Sequence, residues 1–358
     1  MTNSSDNGNT NPPSSLHRLK SVKRQSVRVS GSSLVRSRVL AEGHRVLVLE
    51  PAADGMDLAA WAADNRGWLD DRLLEHGGLL FRGFAVPDTA AFHRLAQAIS
   101  PELLDYVERA APRTQVVGKV FTSTEYPADQ WIPLHHEMSY SHNWPTKLFF
   151  YCDTPADEDG YTPVADDRDV VARMPDALKA AFLDKGVMYV RNYGQGGDMP
   201  WWEVFQTRDR REVERYLDSA QTQYEWRGEH QLHTRMHRQV MATHPRTGDK
   251  VWFNHAHMFH VSNMPAAVRA ALLHELTEYE LPRNAFYGDG SRIPDEVAQA
   301  IRTLYRESAL CFPWLKGDVL LLDNFLTTHG RSPFRGRRRI CVAMAELYTN
   351  PERYTGPR

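Results

Sequence analysis

Trp131-Ile132-Pro133-Leu134-His135-His136-Glu137-Met138-Ser139-Tyr140, with the apolar run Leu148-Phe149-Phe150-Tyr151-Cys152 and Thr162-Pro163-Val164-Ala165-Asp166 after it, decides how this chain is read. The segment around Pro133 has no helix cap and is rich in β-favouring neighbours, so it reads as extended. In an extended segment residues i and i+2 point to one side. His135 and Glu137 then converge on one point while His136 faces away. An imidazole and a carboxylate so placed are two of the three ligands of a facial triad, which leaves three positions open on a ferrous ion.

A lone His-x-Glu carries little weight. With 16 His and 45 acidic residues in 358, roughly two such triplets arise by chance. Weight comes from a second stretch, Gly317-Asp318-Val319-Leu320-Leu321-Leu322-Asp323-Asn324-Phe325-Leu326-Thr327-Thr328-His329-Gly330-Arg331. It reads as a buried strand ending in polar residues, with His329 on the loop beyond as the third ligand. Arg339, preceded by Arg337 and Arg338, opens the next apolar run, Ile340-Cys341-Val342-Ala343-Met344. A guanidinium at the mouth of a strand beside a metal suits one end of a dicarboxylate, which it binds bidentately.

At these residues the chain resembles the taurine dioxygenase-like (TauD/TfdA) iron(II)/2-oxoglutarate oxygenases, and among them the SyrP-like members of nonribosomal-peptide and amino-acid biosynthesis. The pattern is His135-x-Glu137, Thr162, distal His329, and Arg339 followed by Ile340. Further matching segments are Leu80-Phe81-Arg82-Gly83-Phe84, Arg113-Thr114-Gln115, Trp252-Phe253-Asn254 and Arg283-Asn284-Ala285-Phe286-Tyr287-Gly288. The resemblance implies iron held by His135, Glu137 and His329, and the far carboxylate of 2-oxoglutarate held by Thr162 and Arg339. Which of the three adjacent arginines clamps stays open, although the pattern falls on Arg339. The resemblance also implies a double-stranded β-helix (jelly-roll, cupin-like) core flanked by helices, with oxygen as co-reactant and ascorbate as reductant in vitro. Members that halogenate carry a small residue where Glu137 stands. The implied reaction is therefore hydroxylation, with desaturation and epoxidation as other outcomes of the same oxidant.

Working outward, the length suits one large domain, and 42% hydrophobic content fills a sizeable core. A formal charge of −2 gives no basic field for nucleic acid. Cys152, Cys311 and Cys341, odd in number and set in apolar runs, do not describe a secreted disulfide framework. No run approaches the ~18 apolar residues of a membrane span, and the start lacks an apolar signal core. A cytoplasmic protein is the expectation. Residues 1–38 are Ser/Asn/Thr/Pro-rich and then basic, with Asp6 as the single acid. They read as a disordered tail, and 39–358 as one oxygenase domain. The basic part of the tail would suit an acidic partner such as a peptidyl carrier protein.

Helices are expected over 57–75 with a break near Gly67, after Asp88, and near 167–174, 176–185, 210–220, 266–276 and 295–307. Strands are expected at 79–81, 148–152, 187–192, 232–241, 251–254 and at the end of the chain. With no βαβ alternation, this favours a mainly β, antiparallel core with helical insertions.

Candidate substrate contacts are Arg113, Thr122, Glu125, Ser139, Tyr140, Ser141, Asn254 and His257. Their mixture of Arg, Glu and Asn suits a zwitterion such as an amino acid, free or tethered to a carrier. Two readings of other classes remain. A zinc hydrolase could use the same three ligands, but would leave Thr162 and Arg339 without work. A non-catalytic small-molecule binding protein would have no need of open metal positions.

Overall fold

The computed structural model describes residues 34–105, 113–123, 126–194, 199–352 and 354. Of the expected tail, residues 1–33 lie outside these. The boundary at 38 moves, because Val35 is buried and Val35–Val39 (β1) pairs antiparallel with Leu47–Pro51 (β2). An apolar anchor at Val35 and a strand partner outweigh the arginines that share β1.

The largest sheet also contains Gly78–Phe81 (β3), Gln115–Val117 (β4), Val120–Thr122 (β5), Asn143–Thr154 (β7), Val319–Asp323 (β16) and Arg339–Thr349 (β19). Its order is β1-β2-β3-β16-β7-β19-β5-β4. Both faces are buried, which explains why its central strands are continuous apolar runs rather than alternating ones. On one face Phe149, Tyr151, Leu321 and Ala343 pack under three helices. These are α1 (Leu58–Asp64), capped by Asp57, α2 (Arg66–His76), and α3 (Thr89–Ile99), capped by Asp88. The break expected near Gly67 falls at Asn65, the cap shared by α1 and α2.

On the other face Leu148, Phe150, Cys152, Leu320, Leu322, Ile340 and Val342 form a second apolar layer. Opposite it lies a small sheet of order β6-β17-β9, from Ile132–His135 (β6), Val164–Asp166 (β9) and Thr327–Arg331 (β17). Glu158–Asp159 (β8) and Phe334–Arg335 (β18) pair at the rim. These two facing sheets are the double-stranded β-helix.

Between β9 and β16 the chain leaves the roll on a long excursion. It runs through α4 (Asp167–Arg173), α5 (Asp176–Lys185), β10 (Val187–Tyr193), α6 (Trp201–Val204), α7 (Arg210–Ser219), β11 (Gln223–Arg227) and β12 (Gln231–Arg238). It continues through β13 (Ala242–Thr243), β14 (Lys250–Val251), α8 (Ala256–Phe259), α9 (Ala266–Glu275), β15 (Arg283–Tyr287) and α10 (Asp295–Ser308). Four of its strands form an antiparallel sheet of order β11-β12-β10-β15, of which the sequence had indicated only β10 and β12. The strand expected over 251–254 stops at Val251. Beyond it the Trp252 amide donates to the Asp167 side chain and the His255 amide to Tyr189 Oη, which takes both away from a ladder. Cys152 and Cys341 are buried in strands; Cys311 is exposed and lies outside any strand. No helix of the described residues is long and apolar enough to cross a membrane.

Candidate metal and cosubstrate site

His329 on β17 stands directly opposite His135 on β6, so register alone brings two imidazoles together. Their ring centroids are 4.5 Å apart. The strands come this close because residue 330 is glycine. A Cβ there would lie 2.6 Å from the Ile132 carbonyl oxygen. β6 ends at His135, and the chain turns through Met138 at φ 58°, a left-handed conformation that costs a non-glycine residue energy. That turn swings Glu137 to the imidazoles, and its Oε2 lies 3.6 Å from His329 Nε2. Ligand atoms of His135, Glu137 and His329 all fall within 4.8 Å of one another, and all three residues are buried.

Two of the three ligands are held from behind. His135 Nδ1 donates to the Pro133 carbonyl at 2.8 Å, which leaves Nε2 as the lone-pair nitrogen. Asn324 accepts from Glu137 N at 2.8 Å and donates to the carbonyls of Glu137 (3.0 Å) and Pro145 (2.8 Å). His136 faces away as expected. Its Nδ1 donates to Asn324 O at 2.7 Å, and its Nε2 is 3.5 Å from Asp167. Asp167 in turn accepts from Tyr305 Oη at 3.0 Å and from Trp252 N, and its own amide donates to Leu326 O.

The electrostatics suit a divalent cation. Burial opposes charge on Glu137, but Arg113, 2.9 Å from Oε2, and then His329 outweigh it and hold the carboxyl well below its usual range. Burial, then the neighbouring His329, pushes His135 down to about 3, and burial lowers His329 as well. Two neutral imidazoles and one carboxylate are the protonation states a metal requires. His329 Nδ1 is buried and has no partner among the described residues. The donor set therefore fits iron.

Beside the triad a narrow cavity is lined by Arg113, Ile132, His135, Phe150, Thr162, His329, Arg331, Arg338 and Ile340, among others. Of the adjacent arginines it is Arg338, not Arg339, that lines this cavity. Arg339 begins β19 on the outer side, is about half exposed and lies 3.5 Å from Asp153. Arg338, one residue earlier, points inward. It donates Nε to Gly160 O at 2.8 Å and lies 3.5 Å from Thr162 Oγ1. Alternation along the strand accounts for this: Arg338 shares the inner face of Ile340 and Val342, and Arg339 the opposite face of Cys341 and Ala343. Burial and then the Arg331 charge push Arg338 down to about 10, still charged at neutral pH, and no carboxylate among the described residues pairs with it. Thr162 accepts from Trp314 Nε1 at 3.1 Å, so its own hydroxyl hydrogen is free to be donated.

The other sequence candidates divide. Arg113 reaches the triad. Ser139 Oγ lies 2.7 Å from His255 Nδ1, whose ring is 5.2 Å from that of His135, and Tyr140 packs edge-on to His255. Ser141 is buried 3.5 Å from Tyr216 Oη. Thr122 Oγ1 accepts from Thr114 N, and Asn254 ties Val240 to Ala256; both have structural work. His257 donates to Leu134 O and stacks near Tyr305, so it supports β6. Of the neighbouring His255, His257 and His260, it is His255 that approaches the metal ligands, its ring 5.2 Å from that of His135. Glu125 lies outside the described residues.

A family model, Taurine catabolism dioxygenase TauD, TfdA family, matches residues 43–344. The chain belongs to this family. As an iron(II)/2-oxoglutarate-dependent dioxygenase it has curated relatives of comparable length. It is 41% identical over 285 residues to the dapdiamide synthesis protein DdaC of Enterobacter agglomerans, covering 79% of this chain and 87% of that one. It is 33% identical over 294 residues to a clavaminate synthase-like protein of Arabidopsis thaliana, covering 78% and 84%. Among solved structures, PvcB of Pseudomonas aeruginosa shares the fold of the dioxygenase with TM-score 0.53 at 18% identity, over 89% of this chain and 95% of that one. An α-ketoglutarate-dependent 2,4-D dioxygenase homologue from Burkholderia xenovorans gives 0.52 at 15% identity, over 87% and 97%.

Proposed function

We propose that the dioxygenase binds ferrous iron through His135, Glu137 and His329, and the far carboxylate of 2-oxoglutarate through Arg338 and Thr162. Its reaction is hydroxylation of an unactivated C–H bond in an amino acid or amino-acid-derived small molecule of secondary metabolism. The observation that carries this reading is the inward Arg338 beside Thr162 in the same cavity as the triad. A hydrolytic zinc centre has no use for such a cation, whereas a dicarboxylate cosubstrate needs one. The similarity to a dapdiamide synthesis protein supports a substrate met in small-molecule biosynthesis.

Iron with 2-oxoglutarate supplies oxygen activation, coupling decarboxylation to succinate and carbon dioxide with oxidation of the substrate. The chain's own residues prepare for it. Arg113 keeps Glu137 ionised, Pro133 O fixes the ring of His135, and Asn324 fixes the backbone that carries Glu137. Phe150 and Ile340 line the cavity with apolar surface and exclude water.

Succinate formation from 2-oxoglutarate, with ferrous iron, ascorbate and oxygen, tests the reading. Loss of a charge-assisted contact worth about 1.5–3 kcal/mol raises the KM of Arg338→Met for 2-oxoglutarate by about 10–100-fold. Arg339→Met stays within about twofold, as for an exposed ion pair. The reverse ranking would refute the assignment of the clamp, and a wild-type protein that forms no succinate would refute the oxygenase.

A further inference from the structure

We propose that a second cavity, lined by β6 and α10, binds a phosphate monoester. This goes beyond the oxygenase reading and does not depend on it. The cavity holds about 190 Å³ between Trp131, Pro133 and Leu134 on one side and Asn263, Arg302 and Arg306 on the other. Among the described residues it shares no lining side chain with the cosubstrate cavity. β6 lines both, giving Ile132 and His135 to one and Pro133 and Leu134 to the other.

Two positive charges stand here without a counter-charge. Arg302 is buried, and its hydrogen bonds all go to neutral acceptors. Nε and Nη2 reach Gln299 Oε1 at 3.2 and 2.9 Å, Nη2 also reaches Ser262 Oγ at 2.9 Å, and Nη1 reaches His257 O at 2.7 Å. Arg306, one helical turn on, is exposed and lies 5.6 Å from the Trp131 ring centroid. Its side chain has no hydrogen bond or ion pair among the described residues. Burial lowers the pKa of Arg302; Asp295 opposes this, and the Arg306 charge adds to it. Asp295 is itself already held by Arg269 at 2.5 Å and Arg292 at 3.0 Å. Like charges four residues apart on a helix repel, and an uncompensated buried charge is costlier still.

Charge selects the ligand. A phosphate monoester brings close to two negative charges at neutral pH, whereas a carboxylate or a phosphodiester brings one. Shape agrees with charge. Arg302 keeps a single Nη1 hydrogen, too few for the two-pronged grip that suits a planar carboxylate, while the whole fork of Arg306 is free. Three terminal phosphate oxygens accept from donors set apart from one another, and Asn263 adds the amide hydrogen that Met258 O does not take. The Trp131 ring, 36% exposed, offers the esterified group an apolar surface to lie on.

Calorimetric titration of the full chain with phenyl phosphate, inorganic phosphate, dimethyl phosphate and acetate, near neutral pH and without iron or 2-oxoglutarate, tests the site. Phenyl phosphate is expected to bind most tightly. Arg306→Gln weakens it at least about tenfold, the effect of one charge-assisted contact, while Arg338→Met leaves it within about twofold. Arg306 is exposed, so thermal unfolding of ligand-free Arg306→Gln is expected to match wild type. No binding of phenyl phosphate, or binding lost in Arg338→Met and kept in Arg306→Gln, would overturn the proposal. Dimethyl phosphate or acetate binding as tightly would overturn the charge argument, and inorganic phosphate doing so would overturn the ester. Neither outcome bears on succinate formation, so the oxygenase reading stands or falls separately.

Discussion

Arginines gather on two sides of the molecule, and the two groups are built in opposite ways. On the roll side, Arg338 and Thr162 stand beside a triad whose two histidines face each other across one β6–β17 pairing. On the excursion side, Arg191, Thr234 and Arg283 come from three strands and share nothing but register. The roll side is positioned by strands buried on both faces, which leaves little freedom in where a side chain points. The excursion side depends on pairings that no local pattern announces. The contrast shows why side chains set by local spacing are readable as motifs while those joined only by register are not.

Mutations separate the two sides, the largest effect falling on the roll. His329→Ala removes one of three ligands. Iron binding and succinate formation fall by more than the 10–100-fold typical of residues that merely support a ligand, while urea unfolding of the metal-free protein changes little. Retained turnover would detach His329 from the metal. Next is Asn324→Ala, which deletes three buried hydrogen bonds to the backbone at Glu137 and Pro145. It is expected to cost about 2–4 kcal/mol in urea unfolding and to weaken iron binding by about 10–100-fold. A stability loss with unchanged iron affinity would show that Asn324 serves the roll and not the ligand.

The smallest effect is one of pH and belongs to both sides. Burial, the leading cause in each case, pushes His135 down to about 3 and His233, His257 and His260 to about 4. Unfolded histidines titrate near 6.5, so as pH falls the unfolded chain takes up protons first. Stability is then full above about pH 6.5 and declines as pH falls toward 4. Iron added to the protein protects only the triad, so the decline contributed by His233, His257 and His260 persists in urea titrations of the loaded protein. Stability that rises between pH 7 and 5 would contradict the neutral burial of these rings.

Much of this architecture was legible in advance. His135, Glu137 and His329 carried their own spacing, and Asp88 marked the start of a helix as capping chemistry requires. What stayed hidden has physical causes. Arg338 and Arg339 are adjacent in the chain, and the run after them is apolar on both faces, so no alternation in the sequence marks which one faces inward. Asn324 looks like a turn residue until its amide is seen bridging the Glu137 backbone. His255 and His257 are two apart in an apolar cluster. The helical turn at Ala256–Phe259, rather than a strand, sends the first toward His135 and the second behind β6. An earlier strand boundary at Val35 was masked by the arginines around it.

Asp167 marks where the excursion departs, and its carboxylate also receives the Trp252 amide and the Tyr305 hydroxyl from the returning chain, with His136 just behind. One buried side chain thus fastens both ends of a long insertion to the back of the catalytic roll. Loss of that one carboxylate would loosen the insertion at both of its ends at once.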